Sequence, residues 1–375
     1  MAAVTLSEVA RAAGVSPATA SRVLNGSART PGADIAERVR TAAATLGYIA
    51  NAQAQALARS SSGLLGLIVH DIADPYFSSI ARGVQSAARE LGKTLLLICT
   101  EGTPAEERLA VEAFTSRRTD AIVLAGSRST RPADAEENAA LLRESERYLA
   151  NGGRLVLVGH GLIDETASER RHGSDINESA PPTDGSPRSV VVTIPNESLA
   201  RDLAHALADQ GHSRHVVVAG PEGLLTSDLR LAGFQGGLED RGLPRAEVTR
   251  AAFNRAGGFD AGHGLARAVS TAAAEGAPLC IFAVNDRMAI GVVAALRQRG
   301  LTAGADYAVA GFDDINTLED FIPGLTTVRL PLEDIGRNAA EAALTGLDPA
   351  PTEGSIVLRE STKGPEEAAA VRTGS

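Results

Sequence analysis

At 375 residues and 44% hydrophobic composition, the chain has room for a small domain and a large two-lobed one, and no uninterrupted apolar run approaches the length of a membrane span. No signal peptide precedes the first amphipathic segment, so the expectation is a soluble, cytoplasmic protein without a membrane partner. The net charge of −10 would argue against nucleic acid, but it is unevenly spread. Residues 1–62 carry Arg11, Arg22, Arg29, Arg38, Arg40 and Arg59 against Glu8, Asp34 and Glu37, a net of +3, which leaves −13 for the rest. That asymmetry puts a nucleic-acid partner at the N-terminus. Cys99 and Cys280 stand far apart in apolar runs and read as buried free thiols, neither a disulfide nor a metal site.

The chain opens with Thr5 and Glu8 at capping-box spacing, and Leu6, Val9, Ala10 and Ala13 give one apolar helical face. Gly14 ends that helix, and Ser16 with Pro17 starts another. Small residues at Ala10 and Gly14 let the two helices cross closely, as a helix-turn-helix requires. The second helix packs through Ala20, Val23 and Leu24 and leaves Ala18, Thr19, Ser21, Arg22 and Asn25 outward. Arg22 suits a bidentate contact to guanine in the major groove; Ser16, Ser21 and Asn25 suit phosphates or base edges, and Thr5 and Arg29 extend the candidate DNA surface. A third helix, roughly Asp34 to Leu46, offers Ile35, Val39 and Leu46 to the same core, and Gly47 ends it. The next segment, Asn51 to Ser60, is too short to hold a helix in water and should order only against a partner. Its Leu57 suits a wedge between base steps in the minor groove, and Asn51 and Gln55 lie beside it as further DNA candidates.

From residue 63 strand-like and helical runs alternate. Leu64 to Val69, Thr94 to Cys99, Ala121 to Leu124, Leu155 to Val158, Val190 to Ile194, His215 to Ala219, Leu279 to Val284 and Tyr307 to Ala310 read as strands. Helices fall near 78–91, 105–116, 136–150, 197–210, 228–241, 259–275 and 287–299. Such alternation means parallel sheets covered on both faces, with ligands beyond the carboxyl ends of the strands. Asp74, Phe77, Ser127, Arg128, His160, Arg230, Asn285 and Asp313 fall at those ends. Carboxylate, amide and guanidinium groups over an aromatic face suit a hydroxyl-rich ligand, although Arg128 and Arg230 would meet an anion as readily. Phe77 fits a core equally well, His160 reads first as a hydrogen-bonded strand-end histidine, and Asp286 as a helix cap. No GxGxxG follows the first strand, and there is no P-loop, GxSxG or metal-ligand spacing, so no catalytic residue, cofactor or metal is expected.

The stretches TLSEVARAAGVSPATASRVLNG, RVRTAAATLGYIAN, DPYF (Asp74 to Phe77), RLAGF (Arg230 to Phe234), VNDRMAIG (Val284 to Gly291) and GFDD with IPGLTTV (Gly311 to Val328) run in one order over almost the whole chain. In that order the sequence resembles the LacI/GalR family of bacterial transcriptional regulators. The resemblance implies an all-α helix-turn-helix domain (1–47) and a hinge helix and linker (48–62) that forms in pairs on the operator, with Leu57 entering the minor groove. It further implies an α/β effector domain (63–360) of two Rossmann-like, periplasmic-binding-protein-like lobes, joined by three crossovers near Gly159 to Leu162, Asn285 to Met288 and Ile322 to Thr326. Lobe one would be about 63–160 and 288–322, lobe two about 161–287 and 323–360, and 361–375 a flexible tail. Arg230, Asn285 and Asp313 match the family's sugar-contacting residues, and Phe253 stands near an aromatic that stacks on the ring.

The function implied is that of a homodimeric repressor on a pseudo-palindromic operator, controlled by a small molecule, a sugar first, with a nucleobase or phosphosugar co-repressor as the rival. A transport solute-binding protein shares the lobes but lacks the helix-turn-helix. The chain departs from the family pattern at Pro195, where an aspartate is usual, and at Ala50 and Gln55 in the hinge region. A polar segment, Glu165 to Ser189, is longer than the usual link and reads as a mobile surface insertion. The tail holds no leucine heptad, which favours a dimer over a tetramer.

Overall fold

The computed structural model describes residues 4–25, 31–49, 61–164 and 189–363, in two units divided after Gly63. Arg29, Asn51, Gln55 and Leu57, the hinge segment, nearly all of the 165–189 insertion and the chain beyond 363 lie outside the described residues.

The first unit is three helices, α1 (Leu6–Ala13), α2 (Pro17–Asn25) and α3 (Ala33–Leu46). The capping box forms: the Glu8 N–H donates to Thr5 Oγ1 at 3.4 Å, and the Thr5 N–H to Glu8 Oε2 at 2.7 Å. Gly14 takes the left-handed conformation, φ 67°, that lets the chain turn into α2. Val9, Ala10, Ala13, Ala20, Val39 and Ala43 make the buried core, small side chains that allow the helices to cross closely. Leu46, expected in that core, is 39% exposed. Ala43 and Tyr48 take its place at that end.

The second unit holds two parallel sheets. The first runs β2 (Thr94–Cys99), β1 (Leu64–Val69), β3 (Ala121–Gly126), β4 (Arg154–Gly159) and β5 (Val190–Thr193) in that spatial order. The second runs β7 (Glu247–Arg250), β6 (His215–Ala219), β8 (Cys280–Ala283) and β9 (Ala308–Ala310). A short antiparallel pair, β10 (Thr327–Arg329) and β11 (Ser355–Val357), lies beside them. The central strands are apolar along nearly their whole length because helices cover both faces. Those helices are α4 (Pro75–Glu90), α5 (Pro104–Ser116), α6 (Ala135–Ala150), α7 (Asn196–Asp209), α8 (Leu225–Asp240), α9 (Arg255–Ala274), α10 (Asp286–Arg297) and α11 (Leu332–Thr345).

The lobe boundaries differ from expectation. β5 pairs with β4, Val190 opposite Val156, so lobe one runs on to Thr193. Residues 288–322, expected in lobe one, belong to lobe two: α10 buries Met288, Val292 and Leu296 against α9, and β9 pairs with β8. The chain returns to lobe one instead as α11, which packs on α4. There a Cβ on Gly83 would stand 1.9 Å from the Glu333 carbonyl oxygen, so the two backbones meet directly. The crossings therefore fall just after β5, between β10 and α11, and between α11 and β11. Two further expectations change. Cys99 is exposed because β2 is an edge strand, whereas Cys280 is buried. Ser361 and Thr362, placed in a flexible tail, are buried: Ser361 Oγ donates to the Val309 carbonyl at 2.6 Å, and Thr362 Oγ1 meets Thr326 Oγ1 at 2.6 Å.

Candidate functional site

In the first unit the exposed side of α2 carries Ala18 and Arg22, with Thr19, Ser21 and Asn25 half-buried beside them. Ser16 caps the helix, its Oγ accepting the Thr19 N–H at 3.1 Å and meeting Thr19 Oγ1 at 2.9 Å. Asn25 Nδ2 donates to Ser21 Oγ at 2.9 Å. Arg22 is exposed, and no described residue holds its guanidinium, so all five of its donors stay available on the surface. Thr5 is different: its hydroxyl and its N–H both go to Glu8, whose carboxyl those bonds hold below the ordinary carboxylate range.

In the second unit the predicted strand-end residues converge where the lobes meet. The loop after β3 is stitched to the start of α8. The Thr130 N–H donates to the Gly223 carbonyl at 2.8 Å, the Leu225 N–H to the Arg128 carbonyl at 3.0 Å, and the Thr226 N–H to Ser127 Oγ at 3.1 Å. His160, at the end of β4, meets Thr226 Oγ1 through Nε2 at 2.9 Å. Burial, then the charges of Arg128 and Arg230, lower its pKa to about 4, so it is neutral at pH 7. Asp74 caps α4 by accepting the Tyr76 N–H at 3.0 Å and reaches across to Arg287 Nη1 at 2.9 Å.

Lobe two supplies a buried polar knot. Arg230 is 2% exposed and spends three nitrogens at 2.8 Å each: Nε on Asn196 Oδ1, Nη1 on the Val284 carbonyl and Nη2 on Asp313 Oδ1. Its guanidinium carbon lies 3.7 Å from the centre of the Phe312 ring. Asp313 and Asp314 have φ of 116° and 53°, a left-handed path that is strained for side chains other than glycine. Arg230 fixes the first; Arg329 and Arg359, at 2.6 and 2.7 Å, fix the second. Burial pushes the Asp313 carboxyl up to about 6 against the pull of Arg230. Asn285, not Asp286, caps α10, its Oδ1 accepting the Met288 N–H at 2.7 Å. Asp286 is instead buried and accepts from Thr327 Oγ1 at 2.6 Å and the Ile315 N–H at 3.0 Å, tying the start of α10 to β10. Pro195 leaves α7 with no side-chain cap, as its departure from the family pattern implied.

Two aromatic assignments separate. Phe77 is buried in the core, edge-on to Tyr76 at 5.0 Å and tilted to His70 at 5.1 Å. It is Tyr76 whose phenol lies near Asp313, Arg230 and Asp74, and burial, with the Asp313 charge behind it, pushes that phenol up. Phe253 is half-buried against Gly220 at the end of β6. Beyond Tyr76, the residues sequence reasoning missed are Asn196, Thr226, Arg287 and Glu107. Tyr76 and Arg287 sit within the DPYF and VNDRMAIG stretches, and Asn196 follows Pro195, so their neighbours signalled them. Glu107 had no signal, since PAEERLA reads as a solvated helix start.

Residues 5–51 match the family described as "Bacterial regulatory proteins, lacI family". Residues 62–141 match the periplasmic binding proteins and sugar binding domain of the LacI family, and 204–362 a periplasmic binding protein-like domain. An uncharacterized HTH-type transcriptional regulator in the aml 5′ region of Streptomyces limosus is 32% identical over 90% of this chain and 87% of its own. The ribose operon repressor of Escherichia coli K12 is 29% identical over 91% and 92%. Among solved structures, a lac repressor dimer bound to operator and the anti-inducer ONPF superposes with a TM-score of 0.73 at 25% identity, covering 96% of this chain and 99% of that one. With the helix-turn-helix, the paired parallel sheets and the polar junction all in family order, the chain belongs to the lacI family of bacterial regulatory proteins.

Proposed function

We propose that the chain is a cytoplasmic, sequence-specific transcriptional repressor, not an enzyme, that binds a pseudo-palindromic operator as a homodimer and is controlled by a sugar held between its lobes. The observation that carries the reading is the exposed side of α2, where a capped helix start presents an unpaired Arg22 among hydroxyl and amide groups. A planar five-donor fork on a helix of this kind reads guanine, and Ser16, Ser21 and Asn25 suit phosphates or base edges. Two-fold symmetry would set two such helices about one DNA turn, roughly 34 Å, apart. Leu57 would enter the minor groove between them.

The effector half rests on the lobe junction. Tyr76, His160, Thr226, Asn285 and Asp313 offer an aromatic face, a neutral imidazole, a hydroxyl, an amide and a carboxylate, groups that pair with sugar hydroxyls. The ribose operon repressor among the relatives and the operator-bound lac repressor dimer support a sugar and a dimer. Because the lobes hydrogen-bond across the cleft, a ligand that prefers one lobe spacing would shift the balance between DNA-competent and released states by its differential affinity.

The test is binding of the purified full chain to its own upstream DNA at fixed salt, repeated with sugars and nucleobases. Specific binding released or strengthened by one compound supports the reading. Binding equal on specific and scrambled DNA, with genomic fragments also giving no preferred site, would overturn it.

A further inference from the structure

Arg128 is not used up by the junction. It ends the path out of β3, is 3% exposed, and pairs through Nη1 with Glu107 Oε2 on the first turn of α5. Glu107 is 1% exposed, and its other oxygen lies 3.3 Å from His70 Nε2. Burial alone would raise the Glu107 carboxyl, but Arg128 and then His70 bring it below the usual range, so the pair is ionic. His70 reaches this point because Gly126 has no side chain; a Cβ there would stand 1.9 Å from Nε2. The cluster is thus built into lobe one at the carboxyl ends of β1 and β3.

The pair with Glu107 uses one nitrogen only. Nε and Nη2, which share the opposite edge of the planar guanidinium, are buried and have no hydrogen-bond partner among the described residues. Two parallel N–H groups on one edge form the fork that a carboxylate or phosphate accepts with two oxygens. Among the described residues, the three other acids nearest in the fold are already engaged. Asp74 is held by Arg287, Asp134 by Ser129 and Arg131, and Asp313 by Arg230. The fork also lies where lobe two closes over lobe one, since the Arg128 carbonyl accepts from Leu225.

We propose that the effector carries an acidic group, and that Arg128 takes it on its Nε and Nη2 edge: the ligand is a sugar acid or a sugar phosphate, not a neutral sugar. The proposal rests on reading the cleft as a sugar site. Glu107 is then a positioning residue, holding Nη1 so that the opposite edge faces the ligand, while His160 and Thr226 are left for hydroxyls.

The experiment is calorimetric titration of the full-length protein with matched probes: glucose, galactose and ribose against glucuronate, galacturonate, glucose 6-phosphate and ribose 5-phosphate. An acidic probe should bind about 10- to 100-fold tighter than its neutral counterpart, the worth of a charge-assisted pair of hydrogen bonds. The uronate and phosphate arms identify which acid it is. In the double variant Arg128→Gln with Glu107→Gln, which leaves no buried charge unpaired, that preference should vanish while melting and operator binding report an intact fold. A preference that survives in the folded double variant overturns the role of Arg128. Neutral sugars binding as tightly as acidic ones overturn the proposal and leave the sugar reading standing; no binding by either set overturns both.

Discussion

The helix-turn-helix unit and the two-lobed unit use arginine in opposite ways. Arg22 is exposed with no described partner, whereas Arg230 is buried with three nitrogens engaged and an aromatic ring beneath it. An exposed guanidinium is solvated by water and is free to be handed to a new partner. A buried one must have its hydrogen bonds supplied by the fold, or desolvation would expel it. The first arrangement suits recognition of something outside the molecule; the second builds the molecule. Arg128 stands between them, buried yet with one edge unspent.

The largest expected effect comes from turning the structural arginine into an apolar residue. Arg230→Met leaves the Asp313 carboxylate buried without its cation and should cost about 3–5 kcal/mol of unfolding free energy in urea at pH 7. Adding Asp313→Asn should recover part of that loss, because no unpaired charge remains. A cost under about 1 kcal/mol for the single change would mean that the ion pair does not hold the strained Asp313 turn. Next in size is the recognition arginine: Arg22→Ala should leave stability unchanged but remove about 1–3 kcal/mol of preference for operator over scrambled DNA. If specific and non-specific affinity fell together, Arg22 would be a phosphate contact.

The contrast also marks what sequence reveals. The α2 face was legible because Ala20, Val23 and Leu24 at helical spacing fix which side chains face out. The two sheets were legible because apolar runs such as LLGLIV and HVVVA alternate with amphipathic helices. β7, Glu247–Arg250, was missed because an edge strand facing solvent has no apolar signature. The crossovers were misplaced because the apolar face of α10 would suit either lobe; only pairing decides, through β9 against β8 and β5 against β4. At the site, residue types and strand-end positions were readable, but the spending of hydrogen bonds was not. Nothing in the order of residues tells that Arg230 is consumed by Asn196, Val284 and Asp313, or that Glu107, 21 residues before Arg128, takes just one of its nitrogens.

His160 tests whether the junction is dry, and positive, in the folded protein. Its folded pKa of about 4 lies below the unfolded value of 6.5, so as pH falls below 6.5 the unfolded chain takes up a proton that the folded one refuses. Wild-type stability carries that loss, worth about 2 kcal/mol by pH 5 at 1.36 kcal/mol per pKa unit. His160→Gln keeps a partner for Thr226 but has nothing to titrate. Denaturation curves at pH 7 and pH 5 should therefore show the variant gaining about 2 kcal/mol relative to wild type over that interval. Parallel pH profiles would mean that the imidazole is already solvated, and that the lobes stand open in solution.

The smallest effect concerns Arg287, which reaches from α10 in lobe two to Asp74 at the cap of α4 in lobe one. It is 30% exposed on its side chain, so water screens the pair and Arg287→Ala should cost only about 0.5–1 kcal/mol. What separates it from an ordinary surface ion pair is that its partners lie on different lobes. Its loss should therefore weaken cleft-ligand binding by about two- to fivefold, because fewer molecules hold the binding-competent lobe spacing. Raising salt from 50 to 500 mM should narrow the difference between variant and wild type, since exposed charges are screened as the Debye length shortens. A salt-independent deficit would assign the effect to lost packing of the arginine stem instead. Arg22, Arg287 and Arg230 would then form a series in which the effect on folding grows, and the freedom to meet another molecule shrinks, with each hydrogen bond the fold supplies.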